Sequence, residues 1–440
     1  SSALEYRVGG VFNFKMTSHT KKSTRLTFID SLRSIAILLM LEGHFITHSL
    51  LPAYRDDNNP IYTLWKFSRG LTAPVFFTIS GLIFTYLLLK DKNKGFQNKR
   101  LKKGVKRGAL LVLLGYLLQL KLYKVFFSGI PLFTDLFAIF HVLQCIGSSL
   151  ILIVCIYLFK TYFLKIPLEI LLFVLGLALF LGTPTLLNLE YTAVPKFVEN
   201  ILISSRDLSR NRSVFPLFPW AGFVCMGGFL GSVIHRYEKQ ISHLLFALIL
   251  AATGAILISF NYNLMVFLQP FTTLIGLEAV QYVYEMNRVG QVFLVISTVL
   301  LLETSLKKIH RSISFSLPKN TGLFASIGCW VLLLLLWKQP IPIAYRYLLF
   351  FVPLALLLAK GVGWNAQLFY AIGQNTLFVY VLHVVLLYEG FLGLPFGKWI
   401  QAKLTPFYAL FGMLLFLCLF ALLTKQFYLT KKTVALPKNK

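Results

Sequence analysis

The sequence predicts an all-α, polytopic integral membrane protein with about 10–12 transmembrane helices and both termini in the cytoplasm. Of its 440 residues, 57% are hydrophobic and only 13% are charged. A soluble domain of this length could not cover so much apolar surface. Apolar runs of about 20 residues, the length that crosses a bilayer, recur along the whole chain. The 43 Lys and Arg residues far outnumber the 16 Asp and Glu residues.

Helical spans are predicted wherever an apolar run is long enough to cross the membrane. These runs cover residues 28–53, 70–90, 104–127, 132–159, 166–188, 214–235, 241–260, 288–308, 321–338, 341–360, 366–390 and 404–425. Together they predict one transmembrane domain over 28–425, between an N-terminal cytoplasmic segment, 1–27, and a basic cytoplasmic tail, 426–440. Residues 1–15 lack the apolar core of a signal peptide, so the fold prediction leaves them out, with Met16 as an alternative start.

The basic loops predict the orientation of the chain. Residues 90–107, KDKNKGFQNKRLKKGVKR, are the most positive stretch and are therefore expected in the cytoplasm. Counting spans from there places both termini inside. The loops 54–69, 189–213 and 261–287 then lie outside.

Charge and cysteine usage narrow the possible partners. The net charge is +27, but the basic residues are dispersed over many short loops and form no single groove, so no nucleic-acid partner is expected. The five cysteines all lie in apolar runs and lack metal-ligand spacing, which predicts small buried side chains, no disulfide framework and no metal.

The first span carries ionisable residues that are costly inside a membrane. At 100° per residue, one face of the helix collects Asp30, Arg33 and Ser34 near its inner end and His44 and His48 toward its outer end. Asp30 and His44 are separated by about 21 Å along the helix axis. This face therefore predicts two separate groups of residues along one path rather than a single site. We call Asp30, Arg33 and Ser34 the inner station and His44 and His48 the outer station.

Structural explanations compete with functional ones on this face. Asp30 and Arg33 could form an ion pair at the end of a helix, and His48 could be an interfacial residue. His44 is harder to explain as structural, because it lies deep and histidine exchanges a proton near neutral pH. Glu42 points away from this face.

Other polar groups in apolar runs suggest an outer site. His141 and Gln144 lie one helical turn apart, and Pro216 and Pro219 bracket Trp220. Packing or an interfacial position could explain any one of them. The residues predicted at this outer site are Arg69, His141, Gln144, Trp220, Asn375 and His383.

Four motifs carry a family resemblance. They are R-x-x-x-I-D-S-L-R-S-I-A-I-L-L-M from residue 25, A-P-V-F-F-x-x-S-G from 73, F-P-x-x-P-W-x-G-x-x-x-x-G from 215 and G-Q-N-T-L-F-V-Y-V-L-H from 373. These stretches resemble the transmembrane acyltransferase superfamily, most closely its heparan-α-glucosaminide N-acetyltransferase-like branch. The first two also resemble the acyltransferase-3 group that O-acylates surface polysaccharides.

This resemblance implies an integral-membrane enzyme that moves an acyl group, expected to be acetyl, from cytoplasmic acyl-CoA to a sugar hydroxyl or amine at the outer side. Its co-substrate would be acetyl-CoA or another acyl-CoA, with no metal. The acceptor would be a glycan or glycolipid. The protein would lie among the lipids of a bacterial inner (cell) membrane. A homodimer is possible. A histidine within reach of the acceptor would take its proton.

The resemblance also suggests roles for individual residues. His44 would be the general base, and His48 would orient the acceptor as the second residue of the catalytic pair. CoA carries phosphates, which a basic inner surface attracts. The residues expected to bind this donor are Asp30, Arg33, Ser34, Arg100 and Lys103. The residues of the predicted outer site would contact or support the acceptor of the transfer reaction.

Two other classes of protein remain open. A transporter or flippase of a sugar or lipid-linked substrate also keeps ionisable groups at mid-membrane, often in two repeats of broken helices. No such repeat is evident in the sequence. A non-catalytic membrane assembly partner is the third class. Binding or hydrolysis of acetyl-CoA by the purified protein would distinguish the enzyme from both.

The predicted orientation can be tested by labelling single cysteines from outside intact cells. An impermeant maleimide should modify a cysteine introduced at position 57 or 207 and should miss one at position 96, because only the first two lie in predicted outer loops. Labelling at 96 without labelling at 57 would reverse the orientation, and with it the donor and acceptor sides.

Overall fold

The computed structural model describes residues 27–119, 139–188, 194–204, 213–238, 243–274, 284–311, 321–361, 366–388 and 396–434. Within these ranges the chain is helical and contains no strand; Leu50 and Leu404 form an isolated bridge. The helices are α1 Thr27–Ser49, α2 Pro60–Leu89, α3 Lys99–Gln119, α4 Val142–Phe163, α5 Leu168–Asn188, α6 Lys196–Leu202, α7 Leu217–Tyr237, α8 His243–Ser259, α9 Asn261–Leu274, α10 Tyr284–Arg311, α11 Thr321–Leu335, α12 Ile343–Gly361, α13 Ala366–Gln374, α14 Thr376–Leu387, α15 Phe396–Ile400 and α16 Pro406–Val434.

The helices confirm an all-α polytopic membrane protein. In the described part of the chain, 6 helices are long and apolar enough to cross a membrane, or up to 8 if each sharply bent pair counts as one span. Helix α1 is not among them, and it carries Asp30, Arg33 and Glu42. The number of 10–12 spans and the cytoplasmic location of the termini stay predictions. Parts of the predicted spans 104–127 and 132–159 fall in 120–138, outside the described residues.

Helix α2 begins ten residues before its predicted span, inside the stretch predicted as an outer loop. The Asn59 side chain accepts hydrogen bonds from the N–H groups of Ile61 and Tyr62, and Pro60 occupies the first helical position. Both features favour a helix start. The helix therefore extends beyond its apolar run.

The helical chain bends sharply at two places, one inside a predicted span and one at the start of a predicted outer loop. The predicted span 366–390 consists of α13 and α14, which meet at an angle of 78° around Asn375. The Asn375 amide donates to Ala371 O at 2.8 Å, and the Thr376 hydroxyl donates to Gly373 O at 2.6 Å. These side chains take over carbonyls at the end of α13, which favours ending the helix there. The predicted outer loop 261–287 instead begins with α9, bent 76° from α8.

Helices α2 and α7 cross at backbone contact. A Cβ atom on Gly81 would lie 1.9 Å from Val224 O, and one on Gly227 would lie 1.8 Å from Thr78 O. Only glycine permits this approach, which is typical of small-residue interfaces between membrane helices. The crossing fixes the two helices that carry the second and third of the sequence motifs.

The basic start of α3 is held against the end of α2. The buried Asn98 side chain donates to Leu88 O at 3.0 Å and accepts from Arg100 N at 2.8 Å. Gly95 adopts a φ of 59°, where a Cβ would lie 2.2 Å from the Tyr162 hydroxyl. The connection between α2 and α3 is therefore well anchored, and the side chains of Arg100 and Lys103 remain exposed at its edge.

Candidate active site

The C-terminal half of α1 presents His44 to Tyr388, the residue that follows α14. The ring nitrogen Nδ1 of His44 lies 2.6 Å from the hydroxyl of Tyr388, and the two rings meet edge to face with centroids 5.5 Å apart. His44 is half-buried, and this is its sole hydrogen bond in the described part of the chain. Its second nitrogen, Nε2, is therefore not engaged by any described residue.

The structure brings His383 to the same place. Its ring lies 5.1 Å from that of His44 and 5.1 Å from that of Tyr380, measured between centroids. His383 is fully buried, and neither of its nitrogens makes a well-formed hydrogen bond with a described residue. Two histidines predicted from separate segments thus form one cluster, with His44 as the more accessible member.

Arg69 lies beside this cluster. Its side chain runs along α1 at Gly43, where a Cβ atom would lie 3.3 Å from Arg69 Cγ. Glycine at position 43 therefore lets an exposed guanidinium of α2 approach the helix one residue before His44. Of the predicted acceptor-side residues, His383 contacts the His44 ring and Arg69 lies against the neighbouring Gly43.

His48 is tied to the backbone of α15. Its Nε2 lies 2.9 Å from Gly397 O, so the N–H donates to that carbonyl, and its ring faces Tyr388 at 5.3 Å. Ala402 N also donates to His48 O at 2.8 Å. These bonds give His48 a structural task at the end of α1. Its predicted part in orienting the acceptor stays a prediction.

The N-terminal end of α1 contains the predicted ion pair, extended by a third residue. Arg33 lies 3.8 Å from Asp30 at the i,i+3 spacing. The side-chain amide of Gln374, the last residue of α13, donates to the other carboxylate oxygen of Asp30 at 3.2 Å. Asp30 is buried, whereas 19% of the Arg33 side chain is exposed, which leaves the guanidinium accessible at the surface of this end.

Ser34 joins α1 to α13. Its hydroxyl lies 2.9 Å from Asp30 O and 2.5 Å from Phe369 O, and it accepts from Gly373 N at 3.1 Å. A Cβ on Gly373 would lie 2.5 Å from the same hydroxyl oxygen. Ser34 is fully buried in this contact, so the structure gives it a packing role alongside the predicted role in donor binding.

Apolar packing separates the two ends of the α1 face. Ile37 and Leu41 are fully buried and belong to an apolar cluster built by α1, α13, α14 and α16. Val379 and Phe420 fill the cluster from the opposite side. In this arrangement, apolar side chains fill the face between the two predicted stations.

The remaining predicted residues lie elsewhere. His141 precedes α4, and Gln144 is buried where α4 meets Gly115 of α3. Trp220 packs against three phenylalanine rings at centroid distances of 4.7 to 5.7 Å. Asn375 lies at the break between α13 and α14. Among the described residues, no hydrogen bond or ring contact joins any of these four to His44.

Sequence reasoning missed Tyr388 and the bond of Gln374 to Asp30. A helix projection of α1 could not find partners from a different part of the chain. The one available signal was proximity to motif residues, since Gln374 adjoins Asn375 and Tyr388 follows His383 by five positions. Within the described ranges, no three His, Cys, Asp or Glu side chains are grouped as metal ligands would be.

Comparison with known families agrees with the motifs. The family model described as heparan-alpha-glucosaminide N-acetyltransferase, catalytic, matches residues 25–268, which is more than half of the chain. The chain belongs to this family. It is therefore a multi-pass membrane acetyltransferase of the glucosaminide type. No curated protein matches the chain.

The match places the family's catalytic region on the first half of this protein. It includes α1, with both stations, and the α2–α7 crossing. It ends before α13 and α14, so His383 and Tyr388 lie outside the matched residues. The histidine cluster therefore combines a helix of the family region with residues from the last third of the chain.

The role of Ser34 can be tested with Ser34→Ala. Loss of the hydroxyl leaves Gly373 N without its acceptor at a buried contact, which should lower the free energy of unfolding by about 1–3 kcal/mol. Thermal unfolding in detergent would measure this loss, with Ser80→Ala, whose hydroxyl bonds only within its own helix, as the control. Unchanged stability together with weaker acetyl-CoA binding would instead favour a direct role in holding the donor.

Proposed function

We propose that the protein transfers an acetyl group from cytoplasmic acetyl-CoA to an amine of the glucosamine type, on a glycan or glycolipid at the outer side of the membrane, with His44 as general base. The observation that carries this proposal is the position of His44. It is a half-buried imidazole on the helix that opens the family region, with one nitrogen engaged and the other not.

The reaction needs one proton acceptor near the attacking amine. The amine nitrogen attacks the thioester carbonyl, its proton passes to Nε2 of His44, and the carbon–sulfur bond breaks. The departing thiolate takes this proton from the His44 imidazolium to give CoA-SH, which returns His44 to its neutral form, and the acceptor becomes an N-acetyl amide. General-base catalysis by a positioned histidine is typically worth 10²–10⁴-fold in rate. Arg69, beside Gly43, would stabilise the oxyanion that forms on the carbonyl.

The accessibility of the two histidines favours His44 over His383 as the base. His383 is fully enclosed, whereas His44 retains exposed surface. A base must come within about 2.6–3.2 Å of the proton it removes. His383 could reach the acceptor only if neighbouring side chains moved, so we assign it to the wall of the site.

The inner end of α1 and the start of α3 would hold the nucleotide of acetyl-CoA. Arg33 is partly exposed there, and the exposed side chains of Arg100 and Lys103 extend from the anchored start of α3. Charged groups of this kind pair with phosphates. Asp30, which pairs with Arg33 and accepts from Gln374, would orient the Arg33 guanidinium.

The distance between the stations constrains how the donor reaches His44. About 21 Å of helix separates Asp30 from His44, and the face between them is filled by the cluster around Ile37 and Leu41. The pantetheine arm must therefore pass beside this face or part α14 and α16 from α1. We infer that donor binding involves movement of α14, whose junction with α13 is already bent by 78°.

A transporter or flippase is the second candidate, since broken helices in the membrane are typical of transporters. The bent pairs α8–α9 and α13–α14 are the observation that favours it. Acetylation of glucosamine with release of free CoA by the protein in liposomes would support the transferase. Transport without acetylation would support the transporter. In either case we propose a bacterial inner (cell) membrane as the location.

The identity of the base can be tested by comparing three alanine variants. His44→Ala should lower acetyl transfer by at least about a hundredfold while acetyl-CoA still binds, because a base is needed for the chemical step and not for donor affinity. His48→Ala should have a milder effect. His383→Ala should lower turnover less than His44→Ala. Transfer rates and acetyl-CoA affinity would be measured for all three.

A different result would reassign the base. Near-normal turnover of His44→Ala, together with loss of activity in His383→Ala, would place the base on α14. Loss of acetyl-CoA binding in His44→Ala would mean that His44 supports the donor site.

The donor site can be tested by neutralising Lys99, Arg100, Lys102 and Lys103 together to glutamine. We expect weaker CoA binding and a flatter dependence of that binding on salt, because fewer charges pair with the phosphates. Lys66→Gln, which removes an exposed cation near the opposite end of α2, serves as the control. Unchanged CoA affinity in the quadruple variant would place the nucleotide elsewhere.

A further inference from the structure

Tyr388 is held in contact with both histidines of α1. It caps the end of α14, where its N–H donates to Val384 O at 2.9 Å. Its hydroxyl lies 2.6 Å from Nδ1 of His44, and its ring meets those of His44 and His48 nearly perpendicularly, at 84° and 77°. The phenol therefore occupies a defined place between two imidazoles.

We propose that Tyr388 is a positioning residue of the acetyl transfer: it holds Nδ1 of His44 and thereby makes Nε2 the atom that receives the acceptor's proton. This inference rests on the proposed function. A neutral imidazole carries its hydrogen on one nitrogen and a lone pair on the other. When Nδ1–H donates to the phenol oxygen, the lone pair lies on Nε2, the nitrogen that no described residue engages.

The contact also fixes the orientation of the ring. A hydrogen bond at Nδ1 and the edge-to-face contact with the phenol restrict rotation about the side-chain bonds of His44. On its other side the ring meets His383, which is fully buried and acts as a wall. A base oriented by a third group in this way is the general arrangement of nucleophile-activating and proton-transfer sites.

The surroundings keep Tyr388 itself in place. His48 donates to Gly397 O, which ties α15 to the end of α1 next to the phenol. A Cβ on Gly397 would lie 2.8 Å from Nε2 of His48 and 1.8 Å from Leu387 O, the carbonyl of the residue before Tyr388. The end of α14, the start of α15 and the end of α1 are thus in mutual contact around the Tyr388 ring.

The experiment compares Tyr388→Phe with the loss of another tyrosine hydroxyl that makes a side-chain hydrogen bond. Tyr347 is a suitable control, because its hydroxyl bonds to Ser68 at 3.1 Å and it makes no described contact with His44. Each tyrosine is changed to phenylalanine in the full chain, with and without His44→Ala. Steady-state acetylation of glucosamine and acetyl-CoA affinity are then measured in detergent or liposomes.

We expect Tyr388→Phe to lower kcat roughly 10- to 100-fold, less than loss of the base itself because His44 is still present, while KM for glucosamine and acetyl-CoA affinity stay within about twofold of the parent. Tyr347→Phe should leave kcat nearly unchanged. Once His44 is alanine, Tyr388→Phe should cause no further loss, since residues that act as one unit are not additive.

Each other outcome rejects the proposal in a recognisable way. Equal kcat values for Tyr388→Phe and Tyr347→Phe, a rise in KM without a fall in kcat, or independent losses in the double variant would remove Tyr388 from the proton transfer. Loss of acetyl-CoA binding in Tyr388→Phe would show a purely structural role. If His44→Ala itself retained full activity, the proposed base would fail first, and the positioning role with it.

Discussion

The architecture depends on satisfying the polar side chains of α1 inside a membrane. Water is not available there to pair with them, and an unpaired polar group is costly. Asp30 and Ser34 bond to residues of α13, His44 bonds to Tyr388, and His48 bonds to Gly397. The first helix of the bundle is thus paired with segments more than 300 positions later in the chain.

This pairing explains why the candidate site combines two parts of the protein. The family region supplies α1 and the close α2–α7 crossing, and the last third of the chain supplies the partners that orient the α1 side chains. The break at Asn375, between α13 and α14, allows this pairing. It lets α13 contact the N-terminal end of α1 and α14 run toward the C-terminal end of α1, so that one interrupted span reaches both predicted stations.

The same packing also sets a condition on function. Ile37 and Leu41 close the face between the proposed donor and acceptor ends in an apolar cluster. A sealed membrane interior keeps water from the thioester and keeps the two aqueous sides apart. In the proposed mechanism, a CoA thioester would reach His44 either beside this face or through a change in the packing of α14 or α16. The bent α13–α14 junction is the part of the structure best suited to that change.

The sequence by itself determined the fold class, because hydropathy and helical periodicity are local properties of the chain. Its motifs identified the family, and its helical periodicity predicted the two stations on α1. It also identified His44 and His383 as candidates, and the structure places their rings together. The prediction placed the start of α2 at the beginning of its apolar run and missed the helical start at Pro60, although Asn59 carried the helix-capping signal. Only the tertiary structure decided which partners the α1 side chains find. Ser34, predicted for the donor, is enclosed by Gly373, and Tyr388 was not predicted at all, because such contacts join distant segments and no local pattern specifies which segments pack together.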